Sequence, residues 1–210
     1  MASINIKDLK IYITEENLVG FGKEAHVYNY DNKLLKIFRE DRKTLLPRIP
    51  DKGLEKMTTL PLEVFSKPLD LVYDNNKIVG YTKKNIPKGE ELDVNNLNLE
   101  EIKEDVVLLG ENGFMMEDIF YNYIYHDKKI HFTDISSFKY IEANNPFLKK
   151  HFHKKNIEMI NVFLVGLIEF DAFRKGSKYE LTKTFLANQF IRDNRIEEYY
   201  GDYLFNKKIK

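Results

Sequence analysis

The chain has 210 residues, and its 33 Lys and Arg residues balance 33 Asp and Glu residues, so the formal net charge is zero. A chain of this length buries roughly 70% of the surface that its unfolded form exposes, enough for one two-lobed domain or two small ones. The balanced charge favours neither nucleic acid nor a membrane as a partner, the absence of cysteine excludes disulfides and suits a cytoplasmic location, and we expect no signal peptide or membrane span.

The first predicted elements are strands around a glycine-containing turn. Residues 20–28, with the sequence GFGKEAHVY, predict a strand, a turn and a second strand, and residues 33–38 predict a third strand that carries Lys36. Glycines such as Gly20 and Gly22 allow backbone N–H groups to approach a polyphosphate closely, and a lysine on the neighbouring strand can reach the phosphate oxygens. The side chain of Val27 would lie over an adenine-sized ring.

The rest of the N-terminal half predicts more of this sheet and one helix. Three further strands are predicted, at residues 11–13, 69–73 and 77–83, and the last two flank a hairpin turn at Asp74-Asn75-Asn76. The helix covers residues 53–62 and carries Glu55, nineteen residues after Lys36. A carboxylate in this place can pair with Lys36 and hold it towards phosphate, and Glu63 is available for the same role.

Beyond residue 86 the pattern is mainly helical. A helix capped by Asn98 is predicted to run to residue 112, with Ile102, Val106 and Leu109 on one apolar face. Two more helices are predicted, at residues 157–173 and 181–191. Between the first two lies a short predicted hairpin with strands at residues 123–125 and 130–132. Asn122 precedes this hairpin and Asp134 follows it, so that an amide and a carboxylate can face the same Mg²⁺ ion.

In order and spacing these features resemble the protein-kinase-like superfamily, over roughly residues 15 to 140. The family pattern G-x-G-x-x-A-x-V is formed by Gly20, Gly22, Ala25 and Val27. A strand lysine, a helix glutamate, a catalytic-loop asparagine and a metal-binding aspartate follow in the family's order. The resemblance implies an α+β fold of the bilobal protein-kinase-like type. Residues 1–86 would form an antiparallel N-lobe sheet with one helix, and residues 87–210 a mainly helical C-lobe with a short β-hairpin.

The same resemblance implies ATP and Mg²⁺ as cofactors. Asn122 and Asp134 would then ligate the metal ion. Backbone groups of residues 81–84, which include Tyr81 and Lys83, would bind adenine. A protein Ser/Thr residue or a small-molecule hydroxyl would accept the phosphate.

The catalytic loop departs from the family pattern and leaves two candidates for the base. The family's H-R-D appears as Met116-Glu117-Asp118, without the arginine that reads a phosphorylated activation loop. Glu117 has the family's spacing of five residues before Asn122, whereas Asp118 is four residues before it. The distance from Gly113 favours Asp118 as the base.

Further departures keep a second function open. The family's D-F-G appears as Asp134-Ile135-Ser136, and no A-P-E follows. An active phosphotransferase is the predicted function. The alternatives are a pseudokinase that binds nucleotide or a partner without transferring phosphate, and an unrelated α+β binding protein.

Overall fold

A computed structural model describes residues 3–41, 48–87, 89–93, 96–117, 119, 122–136, 138–142 and 145–174. Within these residues the fold is α+β, with a six-stranded mixed sheet, two two-stranded sheets and three α-helices. The predicted helix at residues 181–191 lies outside the described residues. None of the described helices is both long enough and apolar enough to cross a membrane.

Three of the five strand pairs in the large sheet are hairpins. Its strands are β1 (Ser3–Asn5), β2 (Leu18–Phe21), β3 (Ala25–Tyr30), β4 (Lys33–Phe38), β5 (Asp70–Asp74) and β6 (Lys77–Lys84), in the spatial order β1-β5-β6-β4-β3-β2. Asn75 and Asn76 join β5 to β6 with positive φ angles of 45° and 68°, which matches the twist of a two-residue hairpin turn. The hairpins predicted around the glycine turn and around this Asn-Asn turn are confirmed.

The first strand of the sheet differs from the prediction. Residues 11–13 do not form a strand. They follow a 3₁₀ helix, Ile6–Leu9, as a turn, and Tyr12 packs edge-on against Tyr30 with ring centroids 4.7 Å apart. The edge position is taken by β1, which pairs in parallel with β5, so the sheet is mixed rather than antiparallel. Residues 11–13 instead pack on one face of the sheet, where Tyr12 and Ile13 cover the small apolar cluster.

Three α-helices and two short sheets complete the described fold. The helices are α1 (Asp51–Thr58), α2 (Leu99–Glu111) and α3 (Pro146–Arg174). The short strands are β7 (Phe114–Met115), β8 (Tyr123–His126), β9 (Lys129–Phe132) and β10 (Lys139–Tyr140), with β8 paired to β9 and β7 to β10. The predicted hairpin that carries the candidate metal ligands is therefore confirmed as β8 and β9.

Helix α2 begins directly after Asn98, as predicted, but the asparagine side chain does not cap the helix. It instead accepts a hydrogen bond from the backbone N–H of Ile130 on β9, at 2.8 Å. Helix α3 begins eleven residues earlier than the predicted residue 157, because Asn145 caps it and Pro146 occupies its first turn.

The main core connects the two halves of the described chain. Its buried residues come from residues 49–81, which include α1 and the inner sheet face, and from residues 102–167, which include α2, the β8–β9 hairpin and α3. Phe65 and Phe132 stack at 4.5 Å between ring centroids near its centre. This packing holds the β9 end, and therefore Asp134, at a fixed position against the sheet.

Candidate functional site

Strand β4 carries Lys36 in the middle of the sheet. In the registers of β3, β4 and β6, Lys36 lies opposite Val27 on one side and Tyr81 on the other. Cross-strand partners project to the same face of a sheet, so these three side chains share one face. A Cβ atom on Gly80 would lie 2.3 Å from the carbonyl oxygen of Lys36. Glycine at position 80 is therefore needed for β6 to lie this close to the lysine strand.

Lys36 is buried and meets Asp134, which lies 98 residues further along the chain. The lysine is 3% exposed, and its Nζ donates to Asp134 Oδ2 at 2.5 Å. It also donates to the hydroxyl oxygen of Ser136 at 3.1 Å. These two contacts join strand β4 to the loop that follows β9.

Asp134 is held ionised by its neighbours. Burial raises the pKa of its carboxyl group. The charge and hydrogen bond of Lys36, together with the backbone N–H of Ser136 at 2.9 Å, outweigh burial and bring the pKa to about 2. The Asp134 side chain nevertheless keeps 30% of its surface exposed. The carboxylate is thus charged at neutral pH and reachable from solvent.

Sequence reasoning missed two members of this cluster, Ser136 and Glu24. Ser136 is 1% exposed, and its Oγ lies 2.8 Å from Asp134 Oδ1 and also contacts a carboxylate oxygen of Glu24. Glu24 belongs to the turn that follows Gly22, so this contact joins the glycine turn to the Asp134 loop. A serine where the resembling family has glycine was the available signal, since its hydroxyl can bridge charged groups.

The glycine turn itself has the predicted hairpin form. Gly20 pairs with Val27 across β2 and β3 after a register shift, and the N–H of Gly22 donates to the carbonyl of Ala25 at 2.9 Å. Phe21 stands at the tip of the turn and is 78% exposed. The turn therefore lies beside Lys36, where the sequence predicts a phosphate-covering element.

Glu55 does not hold Lys36 in this structure. Helix α1 turns Gly53, Leu54 and Met57 into the core, and this rotation leaves Glu55 exposed. The ion pair of Lys36 is made with Asp134 instead. The alternative partner, Glu63, is also exposed.

The adenine contact predicted for Tyr81 does not suit its position. Tyr81 lies in β6 between β4 and β5, opposite Lys36 and Leu71, so its backbone is flanked by strands on both sides. Its ring is fully buried, and burial raises the pKa of its hydroxyl well above the usual value.

Lys83 contributes its side chain to the candidate site and not only its backbone. It projects to the same sheet face as Tyr81, two residues along, and is 7% exposed. Its Nζ donates to the carbonyl oxygen of Thr133 at 2.5 Å, directly before Asp134. Burial, followed by the nearby charge of Lys36, lowers the pKa of Lys83 to about 8, although Asp134 opposes this. Two buried lysines therefore flank one aspartate.

The remaining predicted residues lie around the β8–β9 hairpin. The backbone oxygen of Asn122 accepts a hydrogen bond from the N–H of Thr133 at 2.7 Å, so Asn122 is adjacent to the residue before Asp134. Glu117 forms an ion pair with Lys139 of β10 at 2.5 Å, and its side chain is 14% exposed. Asp118 lies outside the described residues.

The donor set suits a hard divalent cation. Asp134 offers an ionised carboxylate and Asn122 an amide oxygen, and Mg²⁺ is commonly held by one or two such protein groups together with substrate phosphates. The part of the chain that the structure describes contains no group of three or more His, Asp or Glu side chains placed to hold a metal ion. A metal ion at this predicted pair would therefore need further oxygen ligands, such as those of a phosphate, to complete its coordination.

Comparison with models of protein families found no match, and comparison with curated proteins found none either. The resemblance described above therefore rests on the residues of this chain alone.

We expect the buried amine of Lys83 to make stability depend on pH. Its pKa of about 8 in the folded chain is below the ordinary 10.5, so the unfolded chain binds more protons between these values and stability rises with pH. The rise corresponds to about 3 kcal/mol at 1.36 kcal/mol per pKa unit. Urea unfolding across this range should show the rise in the wild type, relative to a Lys83→Met variant. The exposed neighbour provides the matched control, since Lys84→Met should retain the whole rise.

Proposed function

We propose that the protein is an ATP-dependent phosphotransferase with a bilobal, protein-kinase-like arrangement. One observation carries the proposal: Lys36 from the sheet and Asp134 from the loop after β9 meet at 2.5 Å beside the glycine turn. A lysine that contacts phosphate and an aspartate that contacts the metal ion are required together at one end of a nucleotide. Each is otherwise costly to bury, and a buried ion pair is weak evidence of a purely stabilising role.

Each residue of the cluster has a role in this proposal. Lys36 binds and neutralises phosphate oxygens, and Lys83 adds a second amine behind it. Asp134 and Asn122 hold Mg²⁺, which when bound shields phosphate charge. The acceptor hydroxyl is oriented and deprotonated by Asp118, because Glu117 is engaged by Lys139.

A pseudokinase is the second candidate, and one contact favours it. Ser136 joins the carboxylate of Glu24, in the glycine turn, to Asp134 and Lys36. Phosphates that enter beside Lys36 must compete with Glu24, whose negative charge lies in the same cluster. This contact between the glycine turn and the Asp134 loop is consistent with a protein that binds nucleotide only weakly, or that binds a partner without transferring phosphate.

Binding of Mg·ATP tests the nucleotide site. We expect Lys36→Met and Asp134→Asn each to weaken Mg·ATP binding by roughly tenfold to a hundredfold, because each removes a charge-assisted contact of about 1.5–3 kcal/mol. Isothermal titration calorimetry on protein whose fold has been checked by circular dichroism gives the affinity. Unchanged affinity in both variants would exclude the proposed site.

Two controls separate a local effect from a general one. Lys33→Met makes the same substitution on the same strand and breaks an ion pair with Asp70 of 2.8 Å, yet should leave ATP affinity unchanged. Glu55→Gln should also be neutral, since Glu55 is exposed and not paired with Lys36 in this structure. A loss of affinity in Glu55→Gln would restore the predicted role of the helix glutamate.

A further inference from the structure

A side-chain contact of Glu24 closes the glycine turn onto the Asp134 loop. Glu24 is a half-buried residue of the turn between β2 and β3, and one of its carboxylate oxygens contacts Ser136 Oγ. A hydroxyl has a single proton to donate. Because Asp134 already accepts hydrogen bonds from Lys36 and from the N–H of Ser136, this proton is available to Glu24.

Glu24 also balances the charge of the cluster around Lys36. The amines of Lys36 and Lys83 belong to residues that are 3% and 7% exposed, and the carboxylates of the cluster are those of Asp134 and Glu24. A phosphate group that contacts Lys36 adds negative charge to this balanced set, and a buried charge without a partner is strongly destabilising. Asp134 is fixed by Lys36 and by the end of β9, whereas Glu24 lies in a turn. Glu24 is therefore the carboxylate that can move away.

Glu24 borders a cavity that offers its carboxylate a second position. The volume of the cavity is about 240 Å³. Its other charged residues are three basic side chains and one acidic side chain: Arg39, Arg48, Lys77 and Glu40. The backbone N–H of Arg39 donates to the carbonyl oxygen of Glu24 at 2.9 Å, and the neighbouring Phe38 lies opposite Ala25 in the β3–β4 register. Glu24 therefore lies next to the Phe38 side of the cavity.

Arg48 lines the same cavity and has an unused donor. Its guanidinium lies over the Phe38 ring, with Cζ 4.4 Å from the ring centroid, and Nη2 donates to Asp51 at 2.7 Å. The other terminal nitrogen, Nη1, is buried and has no hydrogen-bond partner in the part of the chain that the structure describes. A buried N–H group without an acceptor is costly. A carboxylate that entered the cavity would supply the acceptor and a charge partner.

We propose that Glu24 is a gate of the candidate nucleotide site with two positions. In the first it contacts Ser136 and closes the site. In the second it lies in the neighbouring cavity and pairs with Arg48, and a phosphate group that binds Lys36 drives it there. The identity of the incoming ligand rests on the proposed function, whereas the closed contact exists without any ligand.

Amide hydrogen–deuterium exchange without nucleotide tests the closed position. Glu24→Ala removes the carboxylate and Ser136→Ala removes the hydroxyl, so each should speed exchange of the turn at residues 20–25. The double variant should exchange no faster than either single variant, because both changes remove the same contact. Circular dichroism checks that each variant folds. Exchange of the turn at the wild-type rate in both single variants would overturn the proposal.

Affinity for Mg·ATP, measured by calorimetry, tests the movement of Glu24. We expect Glu24→Gln, which keeps the shape of the side chain, to bind roughly tenfold more tightly than the wild type because it removes a competing charge-assisted contact. Glu40→Gln makes the same charge change at an exposed residue of the same cavity and should leave the affinity unchanged. Equal gains in the two variants would contradict the proposal.

Arg48→Met tests the second position. It should weaken Mg·ATP binding roughly threefold to tenfold in the wild type and much less in the Glu24→Gln background, since the two residues couple only while both are charged. Asp51→Asn is the matched control, because it weakens the existing ion pair of Arg48, keeps the guanidinium and should leave the affinity unchanged. Equal losses in Arg48→Met and Asp51→Asn would refute the second position.

Failure of the gate and failure of the nucleotide site give different results. Wild-type protein that binds Mg·ATP as tightly as Glu24→Gln would refute the gate and leave the nucleotide site intact. If no variant binds Mg·ATP while Glu24→Ala and Ser136→Ala both speed exchange, the nucleotide site and the movement driven by phosphate are refuted, and only the closed contact is confirmed.

Discussion

Replacing Asp105 by alanine is expected to lower the free energy of unfolding by about 3–5 kcal/mol. Asp105 lies on the inner side of α2 and is 3% exposed. Its Oδ2 accepts the backbone N–H groups of Glu63, Val64 and Phe65 at 3.0, 2.8 and 3.2 Å. Alanine would leave donors on residues 63–65 without this acceptor, and each such loss costs about 1–3 kcal/mol when the group is buried. Chemical denaturation at neutral pH measures the effect.

The same carboxylate predicts a pH dependence with a definite sign. Burial is the largest influence and raises the pKa of Asp105 from 3.8 to about 6, against the opposing effect of the backbone N–H groups. The folded chain therefore binds more protons than the unfolded chain between these values, so the contribution of Asp105 falls as pH rises through them. The fall corresponds to about 3 kcal/mol.

Asp105→Asn is the control for this effect. It keeps an oxygen acceptor and cannot titrate, so it should cost less than alanine and should not show the fall. If the wild type and Asp105→Asn kept a constant difference in stability from pH 3.8 to about 6, the raised pKa would be refuted.

Asp118→Asn is expected to lower phosphoryl transfer by about 10² to 10⁴ with little change in ATP affinity, because a positioned base contributes a factor of that size. Glu117→Gln should be mild in transfer, since Glu117 is already engaged by Lys139 at 2.5 Å and is 14% exposed. Incubation with labelled ATP, Mg²⁺ or Mn²⁺ and a broad panel of protein and small-molecule acceptors gives the rates.

Two outcomes of this experiment would change the proposal in different ways. The reverse ranking of the two variants would move the base to Glu117. Wild-type protein that binds ATP but transfers no phosphate, even to itself, would favour the pseudokinase. Lys139→Met breaks the ion pair of Glu117 and leaves both candidate bases unchanged. It therefore shows whether the effect of Glu117 on transfer comes only from its ion pair with Lys139 in the β7–β10 sheet.

Local sequence signals predicted most of the individual elements correctly. The Asn-Asn turn and the Asp127-Lys128 turn have positive φ angles, which only a few residue types adopt readily, and each joins a hairpin as predicted. The glycine turn also joins a hairpin as predicted, although neither Gly20 nor Gly22 has a positive φ angle. The apolar spacing of Ile102, Val106 and Leu109 likewise identified α2. The start of α3 was missed because its first turns are exposed and lysine-rich, so no apolar stripe marks them.

The sequence by itself supplied the candidate residues, since Lys36, Asn122 and Asp134 were singled out by their places on predicted strands and turns and by their order and spacing along the chain. Only the tertiary structure decided which of these residues contact one another. Lys36 pairs with Asp134 rather than Glu55 because the buried side chains of α1 set the rotation of the helix. Successive side chains of a helix point about 100° apart, so this rotation decides where Glu55 points. Ser136, Glu24 and Asp105 acquired their contacts in the same way. Such contacts join residues 40 to 112 positions apart, and they depend on strand register and helix packing that no local pattern encodes.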